Sequence, residues 1–159
     1  MTVGGIDNIN LDVSVLDGDF VLVASRWNSG IVENLVEAAC DTLLARGIEA
    51  NRVRVIRVPG AFEIPLVCKK IIEKGGVTAV LAIGVVIRGD TPHFEYVAGG
   101  CTNGIVEISL QTGIPIAFCI LTVEDIEQAI ERSRPDDGNK GVEAALTALE
   151  MACLIKEIG

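Results

Sequence analysis

The chain has 159 residues, half of them hydrophobic and few aromatic, which suits one compact domain large enough to bury a real core. Its net charge of −9, with no basic run longer than Lys69-Lys70, argues against binding to a phosphate backbone. No apolar run approaches the length that spans a bilayer, and Met1 to Asn10 lacks a basic stretch leading into an apolar core, so neither nucleic acid nor membrane is an expected partner and the expected location is the cytoplasm.

Residues 1–10 carry no periodic signal and are expected to form an N-terminal arm ahead of a single domain over 11–159. Leu11, Val13 and Val15 alternate with polar residues, which predicts a short edge strand. Phe20 to Ala24 reads as the first buried strand, ending at Ser25-Arg26-Trp27-Asn28, after which Ile31, Leu35, Ala39 and Leu43 recur at helical spacing up to Gly47. Trp27 thus stands at the carboxyl end of a strand, as core or as a ligand platform. Arg52 to Val58 is the second strand, broken by Pro59-Gly60, and Ala61-Phe62-Glu63 opens a helix that runs to Lys74-Gly75-Gly76. Glycine at 60 would let a ligand come close to the backbone. Glu63 would either accept hydrogen bonds from ligand hydroxyls or simply stabilise the helix start.

Ala79 to Val86 is uncharged and rich in branched side chains, as a strand covered on both faces of a parallel sheet should be. It empties into Arg88-Gly89-Asp90, and Thr91-Pro92 reads as a helix start with a hydroxyl free to cap. A strand-to-helix turn presents unpaired amides and the positive end of the helix dipole, which favours an anion. His93, the one histidine, falls in the first turn, where the same dipole favours a neutral imidazole able to accept a proton. Position alone also fits a surface histidine.

Phe94, Val97, Cys101, Ile105 and Ile108 make one face of a helix ending near Thr112-Gly113, and Pro115 to Leu121, with Phe118 inside it, is the fourth buried strand. Thr122 to Asp125 has capping-box form for a short acidic helix carrying Arg132. Ser133 to Gly138 links it to a last helix that shows Val142, Ala145, Leu149 and Ala152 on one face. The expected fold is a three-layer α/β/α sandwich with a four-stranded parallel sheet of flavodoxin-like order and an N-terminal arm or edge strand. Ligands in such sheets gather at the carboxyl ends of the strands, where Trp27, Phe62-Glu63 and Val85 to His93 converge.

The five cysteines, at 40, 68, 101, 119 and 153, form no C-x-x-C pair and read as buried, reduced thiols. No metal-ligand spacing, P-loop, dinucleotide fingerprint or nucleophile elbow is present, so no cofactor or metal is indicated. Gly99-Gly100 and Gly104 lie within a helix and read as close packing.

Five ordered motifs together resemble the lumazine synthase family: Ser25-Arg26-Trp27-Asn28, Val58 to Pro65, Gly84 to Tyr96, Ile126 to Arg132, and Gly138-Asn139-Lys140-Gly141. The resemblance covers nearly the whole chain. It implies a cofactor-free condensation of 5-amino-6-(D-ribitylamino)uracil with 3,4-dihydroxy-2-butanone 4-phosphate, in riboflavin biosynthesis. It further implies that Trp27 lies against the pyrimidine, that Ala61, Phe62, Glu63, Val85, Val86 and Ile87 hold the pyrimidine and ribityl chain, and that Phe118 borders that pocket from a neighbouring subunit. By the same comparison Asp90, Thr91 and Arg132 hold the phosphate and His93 moves protons. Many relatives carry a small neutral residue in place of Asp90, so its backbone amide is expected to act with the carboxylate turned to solvent. Relatives form homopentamers, and some pack twelve of them into an icosahedral shell that can enclose riboflavin synthase. The absence of an insertion between Arg132 and Asn139 favours the shell. A member that only binds a lumazine or flavin, or only builds a shell, is the alternative.

Overall fold

The computed structural model describes residues 10–159, so the arm expected over residues 1–10 lies almost wholly outside the described residues. In chain order the elements are β1 (Asp19–Ser25), α1 (Ser29–Ala45), β2 (Val53–Val58), α2 (Ile64–Lys74), β3 (Val77–Ile87), α3 (His93–Thr112), β4 (Ile116–Val123), α4 (Ile126–Arg132) and α5 (Lys140–Ile158). The strands form one parallel sheet in the order β2-β1-β3-β4. This is the α/β architecture and strand order expected.

Alternation along β3 shows how the three layers are joined. Ala79, Leu81, Ile83 and Val85 pack with α1 and α5 on one face, while Val80, Ala82 and Val86 pack with α2 and α3 on the other. A strand sandwiched in this way can hold no charge on either face, which is why its sequence reads as an unbroken apolar run. The helical stripes follow suit: Ile31, Leu35, Ala39 and Leu43 are buried on α1, and Cys101, Ile105 and Ile108 on α3.

Two local expectations fail for identifiable reasons. Val13–Val15 form a 3-10 turn instead of an edge strand. The Asp12 carboxylate accepts the Ser14 N–H at 3.1 Å, and Leu16 N–H closes on the Val13 carbonyl, so a local cap outweighs the alternating pattern. The α4 cap is also shifted, because Asp125, not Thr122, receives the N–H of Gln128 at 2.9 Å, and the Gln128 side chain accepts from Glu124 N–H.

The linker before α5 is clasped rather than loose. Asn139 is buried, accepts the Gly141 N–H at 2.7 Å, and donates its amide to the carbonyls of Ser133 and Arg134 at 3.1 and 2.9 Å. The next step of that clasp is a backbone approach between helices: a Cβ on Gly141 would collide with the Leu35 carbonyl oxygen on α1. The Gly-Asn-Lys-Gly motif is therefore in part a packing device for α5 on α1.

Among the cysteines, Cys68, Cys101 and Cys119 are buried, whereas Cys40 and Cys153 are partly exposed, so the expectation of buried thiols holds for three of the five. Burial pushes the Cys68 and Cys119 thiols up to about 12 and Cys101 to about 11. Since the thiolate is the reactive form, these three should stay silent to an aromatic disulfide reagent at pH 8 while Cys40 and Cys153 react, and all five should react in denaturant. Rapid native labelling of Cys119 would contradict the burial. Gly141→Ala should lower stability in urea unfolding by about 1–3 kcal/mol, because the atom it strikes is backbone and cannot rotate away; an unchanged midpoint would mean that α5 lifts from α1 without cost.

Candidate active site

Because all four strands run parallel, their carboxyl ends share one rim. β3 stays paired with β4 through Ile87 and Val123, but with β1 only as far as Ile83 and Ala24. Val85, Val86 and Ile87 therefore run on past β1 with no strand beside them on that side. Val85 and Val86 are themselves buried, so what this overhang offers a ligand is backbone N–H and C=O groups. The turns that follow β1, β2 and β3 supply Trp27, Ala61 to Glu63, and His93.

Trp27 is 65% exposed, which removes the core reading. Its turn is fixed from below, with Arg26 N–H donating to the Val58 carbonyl at 2.8 Å and Trp27 N–H to that of Pro59 at 3.2 Å. Asn28 follows at φ 59°, a left-handed position that asparagine tolerates better than most residues, and it starts α1. The glycine at 60 has a packing role that the sequence does not show. A Cβ there would lie 2.5 Å from the Trp27 ring, so the missing side chain makes room for the indole.

Glu63 divides its two roles between its oxygens. Oε2 accepts the Gly60 N–H at 3.1 Å, the helix-start role, while Oε1 has no hydrogen-bond partner among the described residues. Phe62 is 59% exposed and rests against α3, where a Cβ on Gly100 would come within 2.8 Å of its ring. Gly104 likewise admits Pro65, so close packing holds for Gly100 and Gly104, whereas a Cβ on Gly99 would meet nothing within 4 Å. At the same strand ends the Ser25 hydroxyl is buried without a hydrogen-bond partner, beside Gly84.

Asp90, Thr91 and His93 all lie exposed in the turn into α3, which begins at His93 with Pro92 just ahead of it. The Thr91 hydroxyl accepts the His93 N–H at 3.4 Å, and neither the Asp90 carboxylate nor the His93 imidazole has a hydrogen-bond partner among the described residues. The Arg88 guanidinium holds the Glu95 carboxyl below the usual carboxylate range, so that pair stays ionised at neutral pH.

Phe118 and Arg132 stand elsewhere. They line a groove of about 430 Å³ along the outer edge of β4, together with Thr122, Lys140, Glu143 and Thr147. Phe118 is 46% exposed there. The Arg132 guanidinium donates to the Gln128 carbonyl at 3.0 Å and lies 3.9 Å from Glu131, which leaves most of its donors open. Lys140, 2.6 Å from Glu143, adds a second cation, which the sequence marks only as one member of the Gly-Asn-Lys-Gly motif. No hydrogen bond or ion pair among the described residues joins Arg132 to Asp90, Thr91 or His93. One chain thus presents two separate half-sites, an aromatic and backbone cluster and a cationic groove. Among the described residues no cluster of three His, Cys, Asp or Glu side chains could hold a metal ion, and no helix is long and apolar enough to cross a membrane.

Among solved structures, the chain is similar to a de novo designed Rossmann fold protein at 15% identity and TM-score 0.41, over 74% of this chain and 99% of that one. It is also similar to a GDP-L-fucose synthetase from Naegleria fowleri at 16% identity and TM-score 0.39, over 87% of this chain and 43% of that one. Likenesses this distant carry no argument about function. The family model described as 6,7-dimethyl-8-ribityllumazine synthase matches residues 17–156.

Proposed function

The chain belongs to the 6,7-dimethyl-8-ribityllumazine synthase family, and on that premise we propose that it condenses 5-amino-6-(D-ribitylamino)uracil with 3,4-dihydroxy-2-butanone 4-phosphate. An imine forms with loss of water, phosphate leaves, and the ring closes with loss of a second water. The observation that carries this reading is the β3 overhang, whose free backbone edge is framed by Trp27, Glu63 and His93. A heteroaromatic ring fits against the indole, while the overhang and the open Glu63 oxygen suit the amide edge of a pyrimidine and the hydroxyls of a ribityl chain.

Phosphate is held by the amides of the Asp90-Thr91 turn and by Arg132, whose planar fork suits a ground-state anchor and a leaving group alike. Because Arg132 and Phe118 lie in the β4-edge groove of their own chain, they serve the site of a neighbouring copy. The working unit is then a homo-oligomer. Pentamers, and shells built from them, are the assemblies that the family resemblance implies, and sedimentation of the purified chain tells the two apart.

Most of the acceleration comes from placement. Holding two reactants in register is worth up to about 7–11 kcal/mol in well-aligned model reactions. Proton transfer by His93 adds about 10²–10⁴-fold.

The test is a two-substrate assay that follows lumazine absorbance against a protein-free blank, since the condensation proceeds unaided to some extent. The protein should accelerate it, and His93→Ala and Arg132→Ala should each slow it by at least tenfold. Co-assembled His93→Ala and Arg132→Ala chains should exceed the average of the two alone, as only a site shared between chains allows. No acceleration, with tight binding of a ribityl-pteridine retained, would make this a binding module instead. Asp90→Ala should leave the KM for the butanone phosphate within about twofold, since the amide does the work; a large rise would assign the carboxylate a role.

A further inference from the structure

Arg88 closes the apolar run of β3, and its backbone and side chain together meet β4, the turn into α4 and α3. Its backbone N–H donates to the Val123 carbonyl at 2.9 Å, extending the β3 and β4 pairing by one rung. Nε donates to Glu124 Oε2 at 2.8 Å, in the turn that enters α4. Nη1 donates to Glu95 Oε1 in the first turn of α3, and the guanidinium carbon lies 4.3 Å from the centre of the Phe94 ring. The backbone that carries each carboxylate is itself held: Glu124 N–H donates to Gln128 Oε1, and Glu95 N–H donates to the Pro92 carbonyl.

An arginine beside an anion site is ordinarily a candidate ligand. Here two carboxylates and an aromatic face occupy the fork, so Arg88 is spent on the protein and Arg132 is left for phosphate. His93 immediately precedes the Phe94-Glu95 pair that Arg88 grips. We propose that Arg88 is a positioning residue that locks the first turn of α3 against the end of β4 and so fixes where the His93 imidazole stands. This rests on the reading of His93 as the proton-transfer group.

The pairs concerned are exposed, and such pairs contribute about 0–1 kcal/mol to stability. The effect of breaking them should therefore appear in turnover and not in folding. Lysine keeps the charge but loses the fork and the flat face that stacks on Phe94.

The experiment compares Arg88→Lys in two backgrounds, the parent and His93→Ala, with the two-substrate assay, and adds Glu95→Gln as a variant that leaves Arg88 in place. In the parent, Arg88→Lys should reduce kcat about tenfold, with KM for the butanone phosphate little changed and the thermal midpoint within about 4 °C. In the His93→Ala background the same change should cost less than about twofold, because a group acting through His93 has nothing left to act on. Glu95→Gln should repeat the pattern in weaker form, and it carries the test if Arg88→Lys does not fold. Full activity of Arg88→Lys, or an equal loss in both backgrounds, would overturn the proposal. A raised KM with kcat kept would also overturn it by making Arg88 an anion ligand. If the unsubstituted chain gave no rate above the blank, the functional reading would fall, and this proposal with it.

Discussion

A parallel strand covered on both faces has nowhere to put a charge, and in this chain that constraint falls on β3. Its apolar side chains divide between the α1/α5 layer and the α2/α3 layer, so both layers are positioned by one strand. The first polar groups can appear only where the strand outruns its neighbours, and that point is the rim where the candidate site lies. The overhang past β1 therefore serves as the end of the core and as the floor of the site.

The strength of the apolar signal explains what the sequence makes legible. Four strands, the helices between them and the convergence of Trp27, Glu63 and His93 at one rim follow from runs of branched residues and the turns that end them. Side chains whose roles depend on distant partners are not legible in that way. Arg88 reads as the place where hydrophobicity stops, and its partners lie seven and 36 residues away. Lys140 reads only as one member of the Gly-Asn-Lys-Gly motif, and its position in the Phe118 groove emerges only once β4 is known to be an edge strand. At Val13–Val15 the failure runs the other way, because alternation over so few residues says less than one aspartate placed to cap a turn.

The two half-sites differ in physical character. The rim cluster offers surfaces and hydrogen-bonding edges, with charge at Arg26, at one open Glu63 oxygen and at the Asp90 carboxylate. The β4 groove offers Arg132 and Lys140 beside an exposed phenyl ring. For the phosphate of the proposed reaction, a chain of net charge −9 gains from cations that act at short range, since the wider field of the protein opposes an anion. The short Arg88 network fits this pattern by withdrawing one cation from competition and leaving another exposed.

The packing of Trp27 over Gly60 means that the position of the indole is specified by an atom that is missing. Methods that weigh residues by truncating them would pass over such a place, since at a glycine such as Gly60 or Gly141 alanine adds bulk instead of removing it. The turn after β2 thus controls the turn after β1 by what it leaves empty, and a catalogue of contacts would credit the aromatic ring with a placement that the glycine determines.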